Sequence, residues 1–555
     1  LKKVLIAGGV AGGASAAARL RRLDEKANII MFERGEYISY ANCGLPYYIG
    51  GEIKDRDALT LQTPHGFGKR FNIDVRVLSE VLSVDAKAKT VRVKELETGR
   101  VYTESYDKLI LSPGAEPLRP RIDGMDNERV FTLRNVPDAL RIKSFIDENK
   151  PKSAVIVGGG YIGTEMAENL FNAGLDVTIV EFSNHLISSL DFEMAADVHN
   201  YLRHKGIKLI FNDAARAIRS SGSQLEIILG KTKLPADMAI ISTGVKPESK
   251  LAESAGIETS KSGAIAVNER MQTSDRHIYA VGDAVLVTEF ISGQKSHIPL
   301  AGPANKQGRI AADNICGIDA KYDGTQGSAI LKCFDLAAAT TGITENIAKR
   351  LNLDYEKSYI YSLSHASYYP GAAGMSVKII FDKKTGALYG AQIVGYEGVD
   401  KRIDVFATAL RAKMTVYDLT SLELAYAPPF SSAKDPVNMA GYVAENILRN
   451  KVRVFHWHDI EKLQKDKNAN LIDVRTRSEF KRGSISSFIN IPLDELRENI
   501  GLLDKSKPVY VTCQSGQRSY IACRILEQNG FDCYNLSGGY RLYGSIYADT
   551  QQKGD

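Results

Sequence analysis

Two cysteines stand where a thiol could do chemistry. Cys43 lies in SYANCGLPYYIGG, at a turn built from glycine and proline. The Gly-Leu-Pro-Tyr-Tyr that follows holds no second thiol, so Cys43 cannot close a disulfide with a near neighbour. Its second sulfur or oxygen must come from outside, as a mixed disulfide, a persulfide or a sulfenic acid. Because the thiolate is the reactive form, a helix N-terminus is expected next to Cys43 to lower its pKa. Cys513 lies between an expected strand, PVYVT, and an expected helix, SYIACRILEQ. The intervening loop QSGQR would aim backbone N–H groups at its sulfur. With the helix dipole and Arg518, those donors favour a thiolate or persulfide anion. Cys316, Cys333, Cys523 and Cys533 read as packing. No C-x-x-C pair is present, and no metal site is expected.

Two repeats must position the first of these thiols. KKVLIAGGVAGGASAAARLRRL leads to NIIMFERG, and KSAVIVGGGYIGTEMAENLFNAG leads to DVTIVEFSN. Each reads as a buried strand, a glycine turn, an amphipathic helix and a second strand closing on an acid. This is the dinucleotide-binding βαβ pattern, present twice about 150 residues apart. The second copy has Gly158, Gly160 and Gly163. The first has Gly8 and Gly13 with Val10 at the middle position, while Gly9 and Gly12 still allow close approach to a pyrophosphate. The acids are Glu33 and Glu181. YDKLILSPGAEP and ADMAIISTGVKPE add two matching strand–glycine–proline turns, and Gly282-Asp283 follows a further apolar strand.

Bulk properties agree with a multidomain globular protein. The chain has 555 residues, 44% of them hydrophobic and 25% charged, too many for one core. A net charge of +5 gives no reason to expect nucleic acid. Lys2-Lys3 before VLIAGGVAGGASAAA resembles a signal peptide superficially, but the apolar run Val4 to Ala7 is short and glycines follow at once. No apolar run approaches the roughly 20 residues that cross a membrane. Six scattered cysteines suit reduced thiols in the cytoplasm.

Residues 1 to about 446 resemble the single-cysteine pyridine nucleotide-disulfide reductases of the coenzyme A disulfide reductase and NADH-dependent persulfide reductase type. SYANCGLPYYIGG, HASYYPG and AYAPPFSSAKDP carry that resemblance. From His456 onward, NLIDVRTRSEFKRGSIS, FINIPLDEL, VYVTCQSGQRSYIACRIL and YNLSGGY resemble a single rhodanese domain. In that family a six-residue loop, here Cys513 to Arg518, suits sulfur rather than phosphate; GSIS departs by lacking a histidine. The implied fold class is α/β. Two dinucleotide-binding domains (FAD, 1–118 with 248–325; NAD, 119–247) precede an α+β dimerisation domain (326–446). A basic linker (447–455) then leads to a C-terminal α/β rhodanese-like domain (456–548).

The resemblance also implies roles. Glu33 would hold the FAD ribose and Asp283, after Gly282, the phosphoribityl region, with Arg34, Ser112, Gly114 and Ala301 as further cofactor contacts. Glu181 would accept from the adenosine ribose of NADH; an acid there, with no arginine after it, disfavours NADPH. Ser15, Arg19, Arg22, Ser39, Asn42, Arg70 and Lys434 would bind coenzyme A, the two helix arginines sharing a face. Tyr368 and Tyr426 would reach Cys43 from the second subunit of a homodimer and donate a proton. The expected activity passes a hydride from NADH to FAD and electrons to a sulfur on Cys43. Coenzyme A persulfide, polysulfide or coenzyme A disulfide is the expected acceptor, with Cys513 carrying sulfane sulfur. Two alternatives are an NADH oxidase or peroxidase cycling Cys43 sulfenic acid, and a flavin redox sensor with a rhodanese interaction module.

Overall fold

The computed structural model describes residues 2–551. They form two compact units. One runs to Ser183 and takes in Gly206–Gly327; the other combines Asn184–Lys205 with everything from Ser328 onward.

The first unit is built on two five-stranded parallel sheets. In the first, the order is Ile278–Ala280, Lys108–Leu111, Lys3–Ala7, Asn28–Phe32, Asp74–Arg76. In the second it is Lys208–Phe211, Asp176–Glu181, Ser153–Val157, Met238–Ile241, Val130–Phe131. VLIA, IIMF and AVIV are buried throughout, as expected for strands covered on both faces. Each sheet also has its own antiparallel three-stranded meander, Ser79–Asp85 to Val101–Ser105 and Ala217–Ser221 to Lys233–Ala236. The repeat read from the glycines therefore extends well beyond them. A short antiparallel pair, Ala115–Pro117 with Val245–Pro247, ties the two halves.

Register brings each acid to its glycine loop. Ala7 pairs with Phe32 and Val157 with Val180, so Glu33 and Glu181 emerge beside the turns that follow. Gly8 sits at φ +104°, and a Cβ there would lie 2.0 Å from the Ser112 carbonyl oxygen. Only glycine fits that turn. The helix Ala11–Leu23 packs tightly on the helix Ala301–Ile315.

The second unit begins with an antiparallel sheet ordered Ala329–Cys333, Leu336–Gly342, Leu388–Gly395, Gly374–Asp382, Tyr355–Leu363. A smaller parallel sheet follows, ordered Val454–Phe455, Cys533–Leu536, Val509–Thr512, Asn470–Asp473, Ile489–Asn490. The sequence-based range 119–247 includes residues 184–205, and in the structure these group with the second unit. Their helix, Phe192–Lys205, lies against the last helix, Gly539–Gln551: Asn200 donates to the Ser545 carbonyl at 2.9 Å, and Arg203 pairs with Asp549. A buried charge cluster anchors the same segment. The Lys378 ammonium, with no exposed surface, donates to Asp191 (2.8 Å), Glu345 (2.9 Å) and Glu193. Lys357 donates to Glu345 at 2.7 Å. Asp191, Glu193 and Glu345 are spaced closely enough to hold a metal ion, but Lys378 occupies their centre. Among the described residues no helix is long and apolar enough to cross a membrane.

Candidate functional site

A cleft of about 300 Å³ opens where the first parallel sheet ends, lined by Gly8, Gly12, Glu33, Arg34, Ser112, Gly114, Gly282 and Asp283 among others. Glu33 accepts from the Gly9 and Gly35 amides, both at 2.9 Å, and so braces the glycine turn. Arg34 is held by Glu248 (3.2 Å) and Glu116 (3.3 Å), and Arg134 closes the ring through the same two acids at 3.2 and 3.0 Å. Burial pushes the Asp283 carboxyl above its ordinary value, while the His297 imidazole donates to the Asp283 carbonyl at 2.6 Å.

The second loop repeats the arrangement. Glu181 accepts from the Gly159 amide at 2.7 Å and from the Ser183 amide at 2.8 Å. Nothing lies within 4 Å of where a Cβ on Gly160 would stand, so the backbone there is open to close approach. A Cβ on Gly163 would collide with the Gly158 carbonyl at 2.0 Å.

These cradles suit a dinucleotide. The helices beginning after Val10, Gly160 and Leu300 have no side-chain cap and no acid in the first turn. Elsewhere Thr63, Asn135, Thr344 and Thr415 cap their helices in the ordinary way. A helix start left without a cap offers free N–H donors and a positive dipole end to a phosphate or another electron-rich group. Ala301 is the first residue of the third such helix.

Cys43 lies in the short turn Asn42–Gly44, directly before the helix Leu45–Gly50, as the sequence led us to expect. The residue is exposed, yet its thiol lies above the ordinary value. Partial burial is the largest cause, and the Glu165 and Asp283 carboxylates add to it. The chain's own electrostatics thus oppose the thiolate, leaving the helix start and a bound flavin to favour it. Ser39, nearby, sits at φ +45°, a left-handed conformation unusual for serine, and is pinned by its amide to the Gly9 carbonyl at 2.9 Å. Asn42 lines the cleft.

The residues expected to bind coenzyme A are more dispersed. Arg19 is engaged by Asp313 at 2.7 Å and Ser15 donates to Asn305, whereas Arg22, Arg70 and Lys434 are exposed. Arg19 and Arg22 therefore do not present two free guanidinium groups on one face. In the second unit the Tyr368 and Tyr426 hydroxyls are 2.6 Å apart, and Tyr368 is 73% exposed.

Around Cys513 the expected strand–loop–helix forms, with the helix spanning Gln517–Gln528. The Gly516 amide donates to the sulfur at 3.1 Å and the Ser519 hydroxyl at 3.2 Å. Ser519 was not anticipated, although its place one helical position after Arg518 marks it. Arg518 is instead committed to Glu479 through two hydrogen bonds of 2.8 and 2.7 Å. Arg518 is the first cause holding that carboxyl down at about 2. Glu479 is thus the principal partner of Arg518, and the Cys513 sulfur interacts with the same guanidinium as a weaker one. The SGG segment closes the loop: the Tyr540 amide donates to the Cys513 carbonyl at 2.7 Å. Cys333, Cys523 and Cys533 are buried and Cys316 partly so; the Cys523 and Cys533 sulfurs are 3.0 Å apart.

Comparison with known proteins bears on all three regions. Residues 2–308 match the pyridine nucleotide-disulphide oxidoreductase family, 328–436 its dimerisation domain and 456–545 the rhodanese-like domain. The chain is 36% identical over 450 residues to the coenzyme A disulfide reductase of Staphylococcus haemolyticus, covering 80% of this chain and all of that protein. It is similar to the crystal structure of reduced Bacillus anthracis CoADR-RHD (TM-score 0.96, 50% identity, 99% and 98% of the two chains covered). It is also similar to the NAD-dependent persulfide reductase from A. fulgidus (TM-score 0.91, 38% identity, 98% and 100% covered).

Proposed function

We propose that this chain, which belongs to the pyridine nucleotide-disulphide oxidoreductase family and carries a rhodanese-like domain, reduces the S–S bond of coenzyme A persulfide. Membership implies FAD and NAD(H), which when bound supply two electrons and one proton per turnover. The carrying observation is Cys43: one exposed thiol, in the same unit as both glycine cradles, with no second cysteine in the helix that it precedes. Such a thiol needs a substrate sulfur to complete its redox couple.

In this reading Cys43 takes the outer sulfur of the persulfide. The substrate S–S bond breaks, a Cys43–S bond forms, and coenzyme A leaves as the thiol. Two electrons then release hydrosulfide and restore the Cys43 thiolate. In balance, one persulfide, one NADH and one proton give one coenzyme A thiol, one hydrogen sulfide and one NAD⁺. Glu33 and Glu181 brace their glycine turns and accept from the two riboses. A carboxylate at position 181 repels a 2′-phosphate, which supports NADH over NADPH. Tyr368 and Tyr426, sharing one hydrogen bond at an exposed edge, would serve Cys43 of a second copy of the chain by protonating the leaving thiolate. Arg22, Arg70 and Lys434 remain available for coenzyme A phosphates. Cys513, cradled by the Gly516 amide and the Ser519 hydroxyl, would carry sulfane sulfur. That carrier favours a persulfide over a plain disulfide as the substrate.

The test is anaerobic NADH consumption by the full-length flavoprotein with coenzyme A persulfide and, separately, coenzyme A disulfide. The expected result is a higher kcat/KM for the persulfide, hydrosulfide release, and loss of both in Cys43→Ser. Turnover that depends on peroxide, or that survives Cys43→Ser, would overturn the proposal.

A further inference from the structure

The rhodanese-like domain holds a second pair of sulfurs. Cys523 lies on the helix Gln517–Gln528, and Cys533 opens the strand Cys533–Leu536. Both thiols are fully buried in the apolar core that also contains Cys513, and their sulfurs are 3.0 Å apart. Apolar packing alone does not require two thiols to face each other. A covalent S–S bond is about 2.05 Å long, so the pair needs an approach of only about 1 Å to close. The turn between them is short, with Gly530 at φ +81° and the Phe531 amide donating to the Leu526 carbonyl at 3.1 Å. Asn529, Gly530 and Asp532 are exposed, so local opening of this turn gives a small oxidant a way in. Burial, and then Cys533, hold the Cys523 thiol well above its ordinary value, so it rests protonated.

The elements that carry this pair also hold the Cys513 loop. Ser519, four residues before Cys523 and so on the same helix face, donates its hydroxyl to the Cys513 sulfur at 3.2 Å. Asn535, two residues after Cys533, donates its side-chain amide to the Gly516 carbonyl at 3.2 Å. The Gly516 amide in turn donates to the Cys513 sulfur at 3.1 Å. A close-packed interior is stiff and passes strain on. Drawing the helix and the strand together at Cys523 and Cys533 therefore moves Ser519 and Gly516 against the sulfur they serve. A displacement approaching 1 Å spoils hydrogen-bond geometry, roughly the approach that closure needs.

We propose that Cys523 and Cys533 form a reversible disulfide that turns down sulfur carriage at Cys513. The oxidant is sulfane sulfur in a small inorganic form, disulfane or a longer polysulfide. One cysteine attacks a disulfane sulfur and releases hydrosulfide. The other attacks the cysteine sulfur of the protein persulfide so formed, closing the Cys523–Cys533 bond and releasing a second hydrosulfide. In balance, two thiols and one HSSH give one disulfide and two hydrogen sulfide. The cysteine sulfurs lose two electrons and the disulfane sulfurs gain them. Two small thiols reopen the bond and leave as their own disulfide. The bond itself stands on the distance between the two sulfurs; its effect on rate rests on the reading of Cys513 as the sulfane-sulfur carrier.

The experiment treats full-length flavoprotein with inorganic polysulfide, removes the excess and divides the sample. One part is alkylated with iodoacetamide, digested with trypsin and weighed by mass spectrometry. Cys523 falls in the peptide 519–524, Cys533 in 525–541 and Cys513 in a third. The first two should appear joined, and dithiothreitol should separate them. The other part is assayed for sulfur transfer from thiosulfate to cyanide. Closure should slow transfer roughly tenfold, the effect of losing about one hydrogen bond to a charged sulfur, and dithiothreitol should restore it. Cys523→Ala and Cys533→Ala should each keep their untreated rate through the treatment. That untreated rate reports folding, and one folded variant suffices. Peptides that stay separate, a rate that does not fall on closure, or the same fall in a folded variant would overturn the inference. Absence of transfer in the reduced wild type, or its survival in Cys513→Ser, refutes the carrier reading instead, so the two failures are distinct.

Discussion

Replacing Lys378 with methionine removes the cation at the centre of three buried carboxylates without leaving a void. Lys378 touches Asp191, Glu193 and Glu345, and among the buried groups only Lys357 remains to oppose them. The cheapest repair is for one carboxyl to bind a proton. At pH 7, with an ordinary glutamate pKa of about 4.3 and about 1.36 kcal/mol per unit, that repair costs about 3.7 kcal/mol. This falls within the roughly 3–5 kcal/mol expected when one partner of a buried ion cluster is lost. The pH dependence is diagnostic. In the wild type Glu345 and Glu193 are depressed, Glu193 to about 2, so their contribution is present above the unfolded pKa and fades as pH falls toward the folded value. In the variant the folded state holds an extra proton, so its deficit should shrink by about 1.4 kcal/mol per unit of falling pH, to about 1.6 kcal/mol at pH 5.5. Trp457, the only tryptophan, has its ring 6.1 Å from that of Phe192 in the anchored segment, so its fluorescence reports urea unfolding of this unit. A deficit under 1 kcal/mol at pH 7, or one that does not change with pH, would refute the argument.

Other outcomes follow from the site. Glu181→Ala removes the repulsion of a 2′-phosphate, so the ratio of kcat/KM for NADPH to that for NADH should rise at least tenfold; an unchanged ratio would remove Glu181 from cofactor selection. Ser519→Ala deletes one of two donors to the Cys513 sulfur, a hydrogen bond to a charged acceptor worth roughly 1.5–3 kcal/mol, so sulfur transfer from thiosulfate to cyanide should slow about 10- to 100-fold. A loss under threefold would show that the Gly516 amide suffices. Glu479→Gln frees the Arg518 charge toward the loop; its effect should be a changed rate of Cys513 alkylation by an anionic reagent relative to a neutral one, and an unchanged ratio would refute it.

Local spacing made much of this legible. The glycine turns, the acids that close each repeat and the Cys513 loop all fall within stretches of about 30 residues, where period and turn chemistry constrain the chain. The meanders that complete the repeat carry no such signature and emerged only in three dimensions. What the sequence hid depended on residues far apart along it. Cys43 answers to Glu165 and Asp283, each more than 100 residues away, so the helix start gave only part of its electrostatic setting. Arg518 reads as a partner for sulfur alone, whereas Glu479, 39 residues earlier, takes its two hydrogen bonds. Arg19 and Arg22 share a face by helical arithmetic, but Asp313 from another helix takes only one of them. The helix Phe192–Lys205 has an ordinary amphipathic pattern, which says that a face is buried without saying against what.

That helix bears on how readily the chain could be taken apart again. His199 and Asp549 are both fully buried, with the ring nitrogen 3.2 Å from the carboxylate, and Arg203 pairs with the same acid. A chain cut before the rhodanese-like domain would have no Asp549 to meet those groups. Once residues on either side of a fusion have adapted to each other in this way, cutting at the seam exposes a face shaped for contact rather than for water. The appended domain has become part of the foundation, and reversal would demand several compensating surface changes at once rather than a stop codon alone.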